Sequence, residues 1–326
     1  MQAGKRVQLL YNSVKMRARG KMENMAFAAI QMAYKLDDYS SREAFRKRIL
    51  ALTNAVRQRA PQKPLLVAFP EDVGLGLLFI QDYERVRTSK TMVEAGARLM
   101  EKYRISPFSD RELGKQPNAF ATAVRKLLRH LSPFVERVYH ETFAEAARTH
   151  RCWLVAGSAP LASGECVFNT CYVYNPSGER VLVQRKVNLV PLEQEAGLNL
   201  CPADVDHLSL FDAPGGKTGV LICYDAFFSA LVDILVKKGA QVLVQPSFNP
   251  LPWTKEQCES WEGGLLTAAQ RHPHLIGVNP MGVGQLFDVM AEGVSSIVAH
   301  KERTPDGTGY LARAKSHNSE EILIYP

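Results

Sequence analysis

Three side chains stand at the ends of apolar runs and together could perform acyl transfer: Glu71 closing "LLVAFPE", Lys186 closing "VLVQRK" and Cys223 closing "GVLIC". A thiol attacks a carbonyl carbon once deprotonated, a carboxylate takes and returns the proton, and an ammonium stabilises the developing oxyanion. Each residue alone has an ordinary structural account. Cysteine usually packs as a small hydrophobe, a strand-end glutamate can cap a helix, and a lysine near a hairpin can be solvated. The set is what signals chemistry, because in α/β sheets sites gather at the carboxyl ends of strands and three such ends can converge. A thiol of ordinary pKa is mostly protonated at neutral pH; here the ammonium of Lys186 is expected to lower that pKa while Glu71 holds the proton.

The elements that must position these residues follow from the hydrophobic pattern. "MAFAAIQM" reads as a buried strand, "SSREAFRKRILALTNAVRQRA" as a helix opened by a serine cap, and "KPLLVAFPED" as a second strand, an order that argues for an α/β layout. Positions 80–150 read as mostly helical, with interruptions expected at a Ser-Pro near 107 and at Pro133. Short strands follow in "CWLVAGSAP", in "FNTCYVYNPSGERVLVQRKVNLV" with a hairpin turn at "NPSG" (175–178), and in "KTGVLICYD". A helix "FSALVDILVKKG", a strand "AQVLVQPS", a helix around "ESWEGGLLTAAQRH" and strands near "HLIGVNPMG" and "GVSSIVAH" complete the pattern. No Pro/Gly/Ser linker or repeat divides it, so one domain over 23–326 is expected behind a basic extension at 1–22.

Composition narrows the function classes. A chain of 326 residues that is 46% hydrophobic and 22% charged is an ordinary globular protein. Its net charge of +7 is concentrated at the front, where "GKRVQLLYNSVKMRARGK" carries six Lys or Arg before the first acid, Glu23. That stretch lacks the apolar run of a signal peptide or membrane span; it fits a basic extension, with an organelle-targeting peptide as the alternative. Nothing resembles an RNA-binding or zinc-finger motif, so neither nucleic acid nor membrane is an expected partner. The six cysteines, 152, 166, 171, 201, 223 and 258, contain no C-x-x-C pair. Structural zinc is therefore not expected, and a reduced, cytoplasmic setting is the default.

Other tempting motifs fail on spacing. "PGGKTG" at 214–219 has the Gly-Lys-Thr of a phosphate loop, but Phe211 stands where the first glycine must be, so a hairpin turn is the better account. "GLGLLF" from Gly74 places Phe79 at the third glycine of a dinucleotide fingerprint. His272 and His274 flank a proline in "RHPH" and read as surface residues.

The chain resembles the nitrilase, or carbon-nitrogen hydrolase, superfamily. Its hallmarks are a Glu after "FP", a Lys in "RK-x-x-L-x-P" and a Cys in "G-x-x-I-C-Y-D", and all three occur here in order. "AAIQM", "VAGS" at 155–158 and "KKGAQVLVQPSFNP" resemble further segments of the same family, so the likeness covers most of 25–300. The resemblance implies a four-layer α-β-β-α sandwich, often a homodimer or higher homo-oligomer, and no cofactor or metal. It implies Glu71 as general base, Lys186 as oxyanion stabiliser, Cys223 as nucleophile and the Tyr224 N–H as a second oxyanion donor. An accessory glutamate is expected after the lysine, and of Glu193 and Glu195 the family pattern favours Glu193.

The expected activity is hydrolysis of a small amide or N-carbamoyl compound through a cysteine thioester. Nitrile hydrolysis is the alternative, though nitrilase-like sequences generally carry Cys-Trp-Glu where this chain has "CYD"; a non-catalytic binding or scaffold member is another. Tyr224, Phe227, Phe248, Asn249 and Trp253 flank the nucleophile or follow the next strand and are expected to line the substrate pocket. Two departures stand out. In "CYDAFFSALVD", Ser229 and Ala230 replace the family's Pro-Glu and Asp233 its Arg, suggesting a missing structural ion pair. "AAQRHPH" replaces "R-A-x-E-N", leaving the surroundings of Arg271 and Asn279 open. The helical insertion at about 80–150 is longer than is usual and could be a lid, a dimer surface or a substrate wall.

Overall fold

Alternation along the first strand already sets the layers. In β1 (Ala26–Gln31), Phe27 and Ala29 join one core while Ala26, Ala28 and Ile30 join another, so the strand is buried on both faces. The structure is a computed structural model that describes residues 25–105, 119–195 and 197–326. The basic extension and the Ser-Pro near 107 lie outside the described residues.

In chain order the strands are β1, β2 (Ala33–Tyr34), β3 (Leu65–Ala68), β4 (Trp153–Val155), β5 (Ala159–Ser163), β6 (Cys166–Tyr174), β7 (Arg180–Arg185) and β8 (Leu210–Ala213). They continue with β9 (Gly216–Val220), β10 (Val242–Val244), β11 (Ile276–Asn279), β12 (Val283–Leu286), β13 (Val289–Ala291), β14 (Ser296–Ala299), β15 (Tyr310–Arg313) and β16 (Glu321–Tyr325). The helices are α1 (Arg42–Arg59), α2 (Tyr83–Val86), α3 (Met92–Lys102), α4 (Ala119–Thr149), α5 (Ser229–Lys237), α6 (Lys255–Trp261) and α7 (Leu265–Arg271). A seven-stranded sheet runs β16-β1-β3-β4-β6-β5 with β7 on β6, a six-stranded sheet runs β15-β14-β11-β10-β9-β8, and β13-β12-β2 form a small third sheet.

The two large sheets pack face to face. Phe27, Leu66, Val155 and Val173 of one meet Val220, Ile222, Val244 and Ile297 of the other in a buried core. Outside the first sheet lie α1 and α4, through Ile49, Val56, Leu128, Val135 and Phe143. Outside the second lie α5 and α7, through Leu231, Leu235 and Ala268. Helix, sheet, sheet, helix is the expected four-layer arrangement. Within each sheet the central pairings are parallel, β1 with β3 and β4 beyond it, and β9 with β10 and β11. Their carboxyl ends therefore point the same way within each sheet, which is what gathers a site.

Local chemistry explains most boundaries. Ser41 caps α1 by accepting the Ala44 N–H at 3.0 Å. At "NPSG", Asn175 Oδ1 accepts the N–H groups of Ser177 and Glu179, and Gly178 closes the turn. In "PGGKTG", Pro214 and Gly215 form the two-residue turn between β8 and β9, and Gly216, at φ +119°, opens β9 opposite Ala213, so it is a hairpin and not a phosphate loop. Two boundaries differ from expectation. The helix around "ESWEGGLLTAAQRH" is split into α6 and α7, with Gly263 and Gly264 at the break. Pro133, expected to interrupt its helix, lies inside α4. A proline there costs about 3 kcal/mol, but Leu128 and Leu131 before it and Val135 and Tyr139 after it share one core, and that packing holds both halves in line. Among the described residues, no helix is long and apolar enough to cross a membrane.

Candidate active site

Glu71 follows β3, and its turn is held from three sides. Phe69 N–H donates to the Val155 carbonyl at 2.9 Å, Asp72 N–H donates to Ser158 Oγ at 2.9 Å, and the Tyr34 hydroxyl donates to the Glu71 carbonyl. Gly157 of "VAGS" makes the close approach possible, since a Cβ there would lie 2.0 Å from the Pro70 carbonyl oxygen. The carboxylate that this turn presents is buried.

Lys186 extends one residue beyond β7. Its N–H donates to the Asn169 carbonyl on β6 at 2.9 Å, continuing the hairpin ladder past its last regular pair. The buried Nζ lies 2.8 Å from Glu71 Oε1 and 2.7 Å from Glu193 Oε2. Asn169 Nδ2 also bridges the two carboxylates, at 2.9 Å from Glu71 and 2.8 Å from Glu193. Glu193 further accepts the Val190 N–H at 3.0 Å, so a short turn delivers it inward. Glu195, the other candidate for this place, lies on the wall of a neighbouring cleft. Asn169 was not among the expected site residues, although an amide within the apolar run "CVFNTCYVY" is an unusual buried polar group and was the available signal.

Cys223 begins a tight turn after β9 with φ +50°, a left-handed conformation that a non-glycine residue adopts at a cost. Its N–H donates to the Pro246 carbonyl at 2.8 Å, and Gln245 Nε2 donates to its carbonyl at 3.0 Å. The thiol, in a residue only 6% exposed, lies 3.7 Å from the Phe248 carbonyl. Phe248 N–H in turn donates to Glu71 Oε2 at 3.1 Å, so the loop after β10 ties the Glu71 carboxylate and the Cys223 thiol together.

Burial pushes the Glu71 carboxyl above its ordinary 4.5, outweighing the pull of Lys186, and Glu193 adds to the rise. Burial also raises the Cys223 thiol well above its ordinary value, and the negative charge of Glu71 outweighs the ammonium of Lys186. Lys186 does pull the thiol's pKa down, as expected, but burial and Glu71 outweigh it and the net shift is upward. At rest the sulfur keeps its proton, and Glu71, hydrogen-bonded to it, is the group that can take it. Burial works against the Lys186 ammonium, but Glu71, Cys223 and Glu193 around it raise its pKa well above the usual value, so it stays charged. A carboxylate, an ammonium and a thiol in this arrangement can form and resolve a thioester. No His/Cys/Asp/Glu group among the described residues is arranged to hold a metal.

A family model described as carbon-nitrogen hydrolase matches residues 27–275. The chain belongs to the carbon-nitrogen hydrolase family. An omega-amidase NIT2 from Danio rerio is 35% identical over 114 residues, which make up 33% of this chain and 41% of that protein. Human omega-amidase NIT2 is 29% identical over 129 residues, 37% of this chain and 47% of that protein. The chain thus spans less than half the length of these curated relatives. A carbon-nitrogen hydrolase from Helicobacter pylori G27 has a similar structure, with TM-score 0.63 at 20% identity over 92% of this chain and 87% of that one. An amidase from Nesterenkonia sp. AN1, solved as a double mutant with acrylamide, gives TM-score 0.59 at 17% identity over 93% and 91%. At these identities the structural likeness speaks to the fold alone.

Beside the Cys223 turn of this carbon-nitrogen hydrolase opens a cleft of about 970 Å³, lined among others by Arg125, Arg129, Asn188, Glu195, Tyr224 and Phe228. Cys223 does not line it, but Tyr224, 41% exposed, does. Helix α4 of the insertion therefore supplies one wall. Arg125 clamps the facing loop, with Nε donating to the Asn199 carbonyl at 2.6 Å and a guanidinium N–H to its side-chain oxygen. Arg125→Ala is expected to raise KM about 3–10-fold and to leave kcat within about 2-fold, because Glu193 keeps its own partners. Steady-state kinetics that show an unchanged KM would remove this cleft from the substrate's path.

The other expected pocket residues divide. Phe227 packs edge-on against Trp261 at 5.4 Å, and Trp253 is tilted against the same ring at 6.2 Å, so both belong to an aromatic cluster beyond Tyr224. Phe248 serves through its backbone. Asn249 is engaged in loop structure: its amide donates to the Leu251 and Glu292 carbonyls and accepts from Gln257.

The family departures also have partners. Asp233 on α5 pairs with Arg271 at 3.0 Å and His272 at 2.9 Å, so an ion cluster joins α5 to the end of α7, and these two residues of "AAQRHPH" serve structure. One reading of the cysteines is corrected as well. Cys166 and Cys201 are joined in a disulfide, while 152, 171, 223 and 258 are free. No sequence motif marks that pair; β6 and the loop after Glu193 bring the two together, with Cys201 N–H bonded to the Val167 carbonyl.

Proposed function

We propose that the protein hydrolyses the carbon–nitrogen bond of a small amide or N-carbamoyl compound through a thioester on Cys223. The observation that carries this reading is the buried Lys186 ammonium shared between Glu71 and Glu193, with Glu71 also reaching the thiol. Glu71 takes the thiol proton as sulfur bonds to the carbonyl carbon, and the carbonyl electron pair moves to oxygen. Lys186 and the N–H of Tyr224, at the start of its turn, stabilise that oxyanion. As the oxyanion collapses, the C–N bond breaks and the departing nitrogen takes the proton from Glu71. Water then attacks the thioester and gives a proton to Glu71. The second collapse returns that proton to sulfur and releases the acid. Glu193 and Asn169 hold Lys186 and Glu71 in register.

Proton transfer to Glu71 also redirects Lys186. Once Glu71 is neutral, the ammonium faces one carboxylate fewer and its field is available to the oxyanion, while the net charge of the site stays constant. Because Glu71 is raised above 4.5, the acid limb of kcat/KM is expected above that pH, with activity lost as pH falls through the raised value. The test is a panel of amides, N-carbamoyl compounds and nitriles assayed for ammonia or amine release. Release from amides or carbamoyl compounds, with an acyl adduct at Cys223 in the intact mass, is the expected result. Release from nitriles alone would replace the reading with nitrile hydrolysis, and no turnover with an unreactive Cys223 would favour a binding role.

A further inference from the structure

A third buried carboxylate lies close to the reacting groups and takes no part in the steps above. Asp225 stands two residues after Cys223 and is 0% exposed. Its Oδ2 accepts the Val187 N–H at 3.0 Å, and its Oδ1 accepts the Asn188 N–H at 2.7 Å and the Asn188 side-chain amide at 3.2 Å. All three donors belong to the two residues that follow Lys186. On its other sides Lys186 is bound by backbone, its N–H to Asn169 and its carbonyl to the Ala203 N–H, both at 2.9 Å. The turn after the lysine thus hangs on one carboxylate that belongs to the nucleophile's own turn.

We propose that Asp225 is a positioning residue that fixes the Lys186 ammonium relative to the Cys223 sulfur by clamping the 187–188 turn to the nucleophile turn. The inference rests on the proposed thioester chemistry only for its consequence; the clamp itself is geometric. Charge-assisted bonds from two backbone N–H groups suit a carboxylate, whereas an amide of the same shape would present a donor to at least one of them. A residue that merely filled space would not gather three donors from one side of the site. Burial raises its carboxyl to about 6 despite those donors and the nearby Lys186, so at neutral pH the clamp is charged.

The test reads Cys223 directly and needs no substrate. Full-length wild type and Asp225→Asn are alkylated with iodoacetamide across pH 5–10, with peptide mapping to separate Cys223 from Cys258. Loss of the ammonium's fixed place should slow Cys223 labelling about 10-fold at neutral pH and move its profile to higher pH. On a substrate found in the panel, kcat should fall about 10–100-fold with KM within about 3-fold. A superimposable labelling profile with a lower Tm would show a role in folding alone and overturn the proposal. Should Asp225→Asn fail to fold, Asn188→Ala removes one of the three donors, and a 2–3-fold slowing of the same labelling is expected; an unchanged profile there counts equally against it. An absence of turnover on the whole panel in wild type, with the labelling shift still present, would sink the amidase reading and leave the clamp standing.

Discussion

Replacing Cys223 by alanine is expected to abolish turnover, by on the order of 10⁴-fold or more, while the fold survives. Of the other free thiols, Cys152 and Cys171 are buried in the cores, where burial holds the Cys152 thiol up to about 12, and Cys258 on α6 accepts from the Arg313 guanidinium at 3.0 Å. The site without sulfur keeps Glu71 and Lys186, which could still polarise a bound amide for water. That residual path lacks the covalent step, so the loss should be large yet leave a rate above the uncatalysed one. The thiol is a small part of the core between the sheets, and its removal should cost less than about 2 kcal/mol of stability. Ammonia release and thermal melting measure the two effects separately. A variant that keeps more than about a tenth of the wild-type rate would mean that Cys223 is not the nucleophile.

Why the thiol needs Glu71 follows from its surroundings. A resting thiolate would require the ammonium to dominate, and here burial and the Glu71 charge prevail. In the proposed mechanism the proton therefore leaves as the bond forms, to a carboxylate whose own basicity burial has increased. Both shifts have the same origin, removal from water, and they act in opposite senses: the rise at Glu71 makes it a better acceptor, while the rise at Cys223 holds the proton on sulfur until a carbonyl carbon shares its electron pair.

What was legible in the sequence were features that announce themselves locally. The strand ends of "LLVAFPE", "VLVQRK" and "GVLIC" are short apolar runs stopped by one reactive group, and in the fold they lie together. The choice of Glu193 over Glu195 came from family pattern, and the turn at Val190 to Glu193 supplies its physical reason. Pairings across distance were not legible. Asn169 reaches Glu71 across 98 positions, Asp225 holds a turn 37 and 38 residues earlier, and Cys166 meets Cys201 only because β6 and the loop after Glu193 run side by side. The small sheet of β2, β12 and β13 is built from strands of two to four residues, too short for any period to show. Pro133 misled for the opposite reason: its local rule is real, but the core on both sides of it is stronger.

The second large effect concerns Lys186. Lys186→Met fills similar volume but leaves Glu71 and Glu193 facing each other in a buried site with only Asn169 between them. Loss of the oxyanion donor should lower kcat on the order of 10³-fold or more. Stability should also fall, by about 3–5 kcal/mol at neutral pH, because removing one partner of a buried ion pair strands the other. The pH dependence separates this cause from poor packing. Without the ammonium, Glu71 in the folded state moves further above its ordinary 4.5. A carboxyl whose folded pKa is raised contributes stability that is fully present below the unfolded value and lost as pH rises through the folded value. The variant should therefore melt close to wild type near pH 4.5 and well below it at pH 8. Adding Glu193→Gln, which takes away one of the stranded charges, should recover part of the loss at pH 8 although the same substitution alone is destabilising. A gap in Tm that is constant between the two pH values would show that Lys186 matters for packing, and the shared-ammonium account of the site would have to be abandoned.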